Sequence, residues 1–149
     1  MGDSLFSLGS LMVWSIASTL AAMTWSFRVR AESFGSRRWL GLTALPGLLA
    51  LASFFSFAVH MHSRLGGWPD FCGTHKLPRD LVVHYQISGW LFGSLLMTLL
   101  CMPLVLALFA AVPQLRPRMI YPACFSVMSW LCFFTTWLAP DGFLDWWWD

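Results

Sequence analysis

Polar residues in this chain come in clusters, and the sequence between clusters is apolar for about the length of a membrane crossing. Residues 5–27, 40–59, 86–112 and 119–139 contain no Asp, Glu, Lys, Arg or His. A helix needs roughly 20 apolar residues to cross the hydrocarbon core of a bilayer. A soluble helix of that length would carry a polar stripe at every third or fourth position. Here the only polar residues are scattered Ser and Thr, with Gln86 at one edge. The pattern predicts an all-α integral membrane protein: a four-helix bundle forming one transmembrane domain over residues 1–149. The weaker alternative is a re-entrant hairpin at Pro46 or Pro103 in place of one span.

Composition agrees with the pattern. The chain is 58% hydrophobic and 11% charged, where soluble domains carry about 25% charge. The opening "MGDSLF" is acidic, and the basic residues follow the first apolar run, so the first span is expected to stay in the protein rather than act as a cleaved signal. Phe6 stands where a myristoylation signal wants Ser or Thr.

Charge then sets the expected threading. The loop after the first span holds Arg28, Arg30, Arg37 and Arg38 against Glu32, and the loop after the third holds Arg116 and Arg118. Short basic loops stay in the cytoplasm. Both termini are therefore expected on the outer side, together with a polar loop over residues 60–85 and a Trp-rich tail over 140–149. Trp146, Trp147 and Trp148 suit the membrane interface, where an indole is buried and its N–H stays wet. The arginine loops also offer a surface to a cytoplasmic protein partner, and nothing in the sequence points to nucleic acid.

Inside the spans, Gly89 and Gly93 form a G-x-x-x-G, which lets helix backbones approach closely. Packing within the bundle is expected there ahead of a dimer seam. Small residues at Ser15, Ser18, Ala21 and Ala22, and at Gly47, Ala52 and Ser56, predict close packing among the first three spans. Pro103 removes a backbone hydrogen bond inside the third span and frees a carbonyl near Leu99. With Ser88, Ser94 and Thr98 it is the best candidate for a pore lining or gate.

All four histidines, His60, His62, His75 and His84, fall between residues 60 and 84, with Cys72 among them. Their spacing is loose. Cys72 and His75 make half of a zinc pattern, and there is no C-x-x-C and no haem attachment motif. On a helix His60 and His62 would point to different sides; His60 and His84 would stand at the outer ends of facing spans. No metal, haem or other cofactor is expected, and these five residues are the only ones a metal would recruit. Asp80 is expected to cap the third span after Pro78. Nucleophile elbow, P-loop and H-E-x-x-H are all absent, so no enzyme activity is expected.

"SRLGGWPD" followed by "LPRDLVVHYQI" resembles the outer loop of small multi-pass bacterial membrane proteins that carry an L-G-x-W-P element after the second span. Leu65, Gly66, Trp68 and Pro69 match that element. The resemblance implies four spans in a bacterial cytoplasmic membrane and carries no activity. Three readings follow: a non-catalytic protein that associates with itself or joins a larger membrane complex, an oligomeric pore such as a triggered depolarising effector, and a redox or metal-binding subunit using the histidines. The first is preferred.

Overall fold

The computed structural model describes residues 8–28, 37–69, 74 and 76–148. Among them the structure is all helical. Helix α1 runs Leu8–Arg28, α2 Arg37–Leu65, α3 Arg79–Ala111, α4 Ile120–Thr135 and α5 Asp141–Trp148. Short 3-10 turns, Arg116–Arg118 and Thr136–Leu138, lead into and out of α4.

Three helical segments are long and apolar enough to cross a membrane: Gly41–Leu65, Arg79–Ala111 and Arg116–Leu138. Their outward faces carry large apolar side chains, with Trp90 and Leu138 each 80% exposed and Leu104 74% exposed. A surface of that kind is stable against lipid and not against water. Helix α1 has 21 residues. Its Ser10, Ser15, Ser18, Thr19, Thr24 and Ser26 dilute its apolar character. Two of these hydroxyls hold helices together. Ser15 Oγ donates to the Leu99 carbonyl of α3 at 2.6 Å. Thr19 Oγ1 meets Ser126 Oγ of α4 at 2.6 Å.

The bundle does not follow chain order around its ring. Helix α3 packs on both α1 and α2, and so does α4, while α1 and α2 lie across the diagonal. The expected tight packing among the first three spans is thus corrected: among the described residues the first two pack on the third and not closely on each other. Each side of the ring has its own fastening. Besides the two contacts of α1, Ser53 Oγ and Ser88 Oγ stand 2.8 Å apart between α2 and α3. Between α2 and α4, a Cβ on Gly47 would meet Cys132 Sγ at 3.2 Å and Ser129 Cα at 3.3 Å, so glycine lets the helices approach more closely than a larger residue would without a shift of its neighbours. Of the other small residues, Ala22 is buried, whereas Ala21, Ala52 and Ser56 are exposed.

The core is layered along the bundle. One end holds Ala22, Met102, Leu106, Met119 and Ala123. The middle holds Ala50, Phe92, Leu95, Leu99, Trp130 and Phe133. The other end is aromatic, with Phe54, Phe57, Met61, Leu81, Phe143 and Trp146.

Two boundaries differ from the sequence reading. Helices α2 and α3 continue well into the region expected as a loop. Nothing between Val59 and Leu65 breaks a helix, and α2 ends only at Gly66. That residue has φ 71° and donates its N–H to the His62 carbonyl at 2.9 Å. This left-handed C-terminal cap suits glycine. Helix α3 starts directly after Pro78, and Asp80 lies in its first turn with no side-chain capping bond made. Asp80 is therefore not the cap that was expected.

The Trp-rich tail is a helix, Asp141–Trp148, that turns Phe143 and Trp146 into the protein. Phe143 packs 5.1 Å from the Phe54 ring and Trp147 5.5 Å from Tyr85. Trp148 stays partly exposed, 5.9 Å from Phe92.

Candidate functional site

The extension of α2 and α3 beyond their apolar runs builds one polar cluster. His60 and Arg64 are four residues apart on α2, and Asp80 and His84 are four apart on α3. Residues at that spacing share a helix face, and the two faces meet. The Nδ1 atoms of His60 and His84 stand 3.0 Å apart. His60 Nε2 lies 3.4 Å from Asp80 Oδ2. Arg64 Nε donates to that same oxygen at 3.0 Å. The line Arg64, Asp80, His60, His84 thus runs from the exposed rim toward the aromatic end of the core. It ends where the Phe57 ring stands 5.4 Å from that of His84.

One proton lies between the two Nδ1 atoms when both rings are neutral. The Asp80 carboxylate favours a proton on His60 Nε2, which leaves His60 Nδ1 as the acceptor and His84 Nδ1 as the donor. The guanidinium of Arg64 neutralises Asp80, so the cluster carries no net charge in that state.

His62 takes the other side of α2, as expected for a helix. Its ring packs at a tilt against Trp68, with centroids 4.7 Å apart. Cys72 and His75 lie outside the described residues. Among the described residues, no three His, Cys, Asp or Glu side chains converge so as to hold one metal ion together. A haem bridged by His60 and His84 does not fit, because axial nitrogens at about 2.0–2.1 Å from one ion would stand about 4 Å apart across it, against the observed 3.0 Å.

The remaining candidates are distributed as follows. Gly89 and Gly93 face away from the bundle, and a Cβ on either would meet nothing within 4 Å. The expected packing inside the bundle is not made there. With Tyr85, Gln86, Trp90, Ser94 and Met97 they line an open groove of about 450 Å³. Ser88 is fully buried and donates to the Ser53 carbonyl at 3.1 Å. It lies about 120° around the helix from Ser94, which faces outward with Thr98. Those two hydroxyls donate back to their own helix, Ser94 to Leu91 O at 2.9 Å and Thr98 to Ser94 O at 2.8 Å. Pro103 does free the Leu99 carbonyl, and Ser15 occupies it. Of the arginines, Arg28 closes α1 while Arg37 and Arg38 open α2. Arg30 lies outside the described residues. Arg116 Nε donates to the Ala110 carbonyl at 2.8 Å, and Arg118 is exposed.

The sequence reading missed Arg64 and Asp80 as partners of the histidines. The signal was the paired four-residue spacing of His60 with Arg64 and Asp80 with His84. It is visible only once both helices are extended past their apolar runs. Comparison with protein-family models, curated proteins and solved structures finds no match to this chain.

Proposed function

We propose that this chain is a non-catalytic multi-pass protein of a bacterial cytoplasmic membrane, and that it associates with a second copy of itself through α3. In this reading α1 joins the three long apolar helices to make four spans, with both termini outside. Arg28, Arg30, Arg37 and Arg38, at and between the facing ends of α1 and α2, and Arg116 and Arg118, between α3 and α4, support that orientation. The L-G-x-W-P likeness of Leu65, Gly66, Trp68 and Pro69 is consistent with it.

The observation that carries association is the open face at Gly89 and Gly93. Two glycines one turn apart, with no neighbour of their own within 4 Å, form a notch flanked by the Trp90 and Met97 side chains. A second α3 fits such a notch by backbone contact, where dispersion and weak hydrogen bonds replace lipid contacts. The test is subunit counting by single-molecule photobleaching in lipid bilayers. Wild type is expected to be at least dimeric, and Gly89→Ile with Gly93→Ile monomeric at unchanged helix content. Monomeric wild type, or an oligomer indifferent to both substitutions, sinks the reading.

A further inference from the structure

The strongest unassigned feature is the juxtaposition of His60 and His84 with a carboxylate behind one ring. We propose that these two histidines form a two-imidazole site for a borderline transition-metal ion of the Zn2+ or Cu2+ class. The ion would take the place of the proton between the two Nδ1 atoms, that proton moving to His84 Nε2 so that both rings stay neutral, and would staple α2 to α3 at the rim of the bundle.

Three observations point this way. The first is distance. Two nitrogens at about 2.0–2.1 Å from one ion are about 2.9 Å apart at a right angle and about 3.4 Å apart at the tetrahedral angle. The Nδ1 atoms stand 3.0 Å apart, inside that range. The second is the outer partner. Metal-bound histidines commonly present their other ring N–H to a carboxylate, which fixes the tautomer and raises ligand basicity. Asp80 Oδ2 stands 3.4 Å from His60 Nε2, on the ring edge opposite the shared nitrogen. The third is placement. Asp80 is paired with Arg64 at 3.0 Å, and the His84 ring packs against Phe57, so a neighbouring group stands behind each ring.

Ligand chemistry selects the ion. Two neutral imidazoles suit Zn2+, Cu2+ and Ni2+, while Ca2+ and Mg2+ need a cage of oxygens. The one described carboxylate nearby is paired with Arg64 and supplies no such cage. Water completes the coordination of an ion held by two side chains. The proposal does not depend on whether the chain associates with itself.

The test uses the full chain without a histidine tag, purified in detergent and stripped by a chelator. It is titrated with Cu2+, with Zn2+, and with Ca2+ as the oxygen-seeking control. One equivalent of Cu2+ is expected to saturate the protein, and pulsed electron paramagnetic resonance should resolve two coupled imidazoles. Zn2+ should compete and raise the melting temperature, as any ligand specific to the folded state does, and Ca2+ should do neither. His60→Asn and His84→Asn should each abolish one-equivalent binding. Asp80→Asn should weaken it by about 10–100-fold, and His62→Asn should leave it unchanged. If a variant fails to fold by circular dichroism, the imidazole count in the wild-type spectrum decides. Absence of saturable Cu2+ binding, a spectrum with fewer than two imidazoles, or full affinity in a folded His60→Asn/His84→Asn double variant overturns the proposal.

Discussion

Ser15 donates its hydroxyl to the Leu99 carbonyl at 2.6 Å, across the contact between α1 and α3. That carbonyl lies four residues before Pro103, whose ring nitrogen has no hydrogen to give it. Both Ser15 and Leu99 are fully buried. A bilayer offers no water to a freed backbone group, and Ser or Thr from a neighbouring helix is a common substitute. Proline and serine are therefore a matched pair on two helices.

The pair makes a coupling prediction. Ser15→Ala leaves a buried carbonyl unpartnered and is expected to cost about 0.6 kcal/mol, the average for interhelical hydrogen bonds in membranes, and at most about 1.7 kcal/mol. Pro103→Ala returns an N–H to Leu99. In that background Ser15→Ala should cost little. Unfolding in mixed detergent, measured on the two single variants and the double, gives the coupling. Additive losses would show that the hydroxyl matters for something other than this carbonyl.

A second pair holds the rim. A Cβ on Gly142 of α5 would meet Trp68 Cδ1 at 2.8 Å, closer than real side chains stand. Trp68 follows the α2 cap, packs 5.7 Å from Phe143 and so pins α5 to the loop. Gly142→Ala should destabilise the protein by about 1–3 kcal/mol, the usual cost of overpacking. Combining it with Trp68→Leu should recover part of that loss. Limited proteolysis of the C-terminal segment, with mass spectrometry of the fragments, reads both effects. Equal protease resistance in wild type and Gly142→Ala would show that α5 is not held by this contact.

Much of the architecture was legible because lipid imposes a simple rule: long uncharged runs become helices. The same rule hid the ends. Between Val59 and Leu65 the residues are polar but contain no helix breaker. Polarity marks the edge of the apolar run, while the helix stops only where Gly66 lets it turn. The sequence thus places His60 and His84 at the outer ends of facing spans but hides Arg64 and Asp80 as their partners on the same two helices. Pro103 could be read as freeing a carbonyl, because that follows from covalent structure. Its partner Ser15 is 84 residues from Leu99. Sequence spacing along one helix carries no information about which neighbour arrives there. Likewise Gly89 and Gly93 read the same whether the notch receives a helix of the same chain or faces outward.

The orientation prediction rests on charge alone. In a background with the four cysteines replaced by serine, single cysteines at Arg37 or Arg116 should resist a membrane-impermeant thiol reagent in intact cells. A single cysteine at His75 should react. Reaction at position 37 or 116 with protection at 75 would reverse the proposed threading and leave the bundle itself unaffected.

The last prediction concerns conduction. An ion crossing unaided through hydrocarbon meets a barrier of several kcal/mol or more, so a pore needs a polar lining around an axis. The described α3 offers little of one. Ser88 is turned inward onto Ser53, and the Leu99 carbonyl is taken by Ser15. Ser94 and Thr98 face outward, but each donates its hydroxyl proton to its own helix, which leaves only an acceptor lone pair on the surface. Protein reconstituted in planar bilayers is expected to stay electrically silent. Discrete conductance steps that vanish on Ser94→Leu or Thr98→Leu would establish a lining on that outward face and favour the pore over the associating subunit.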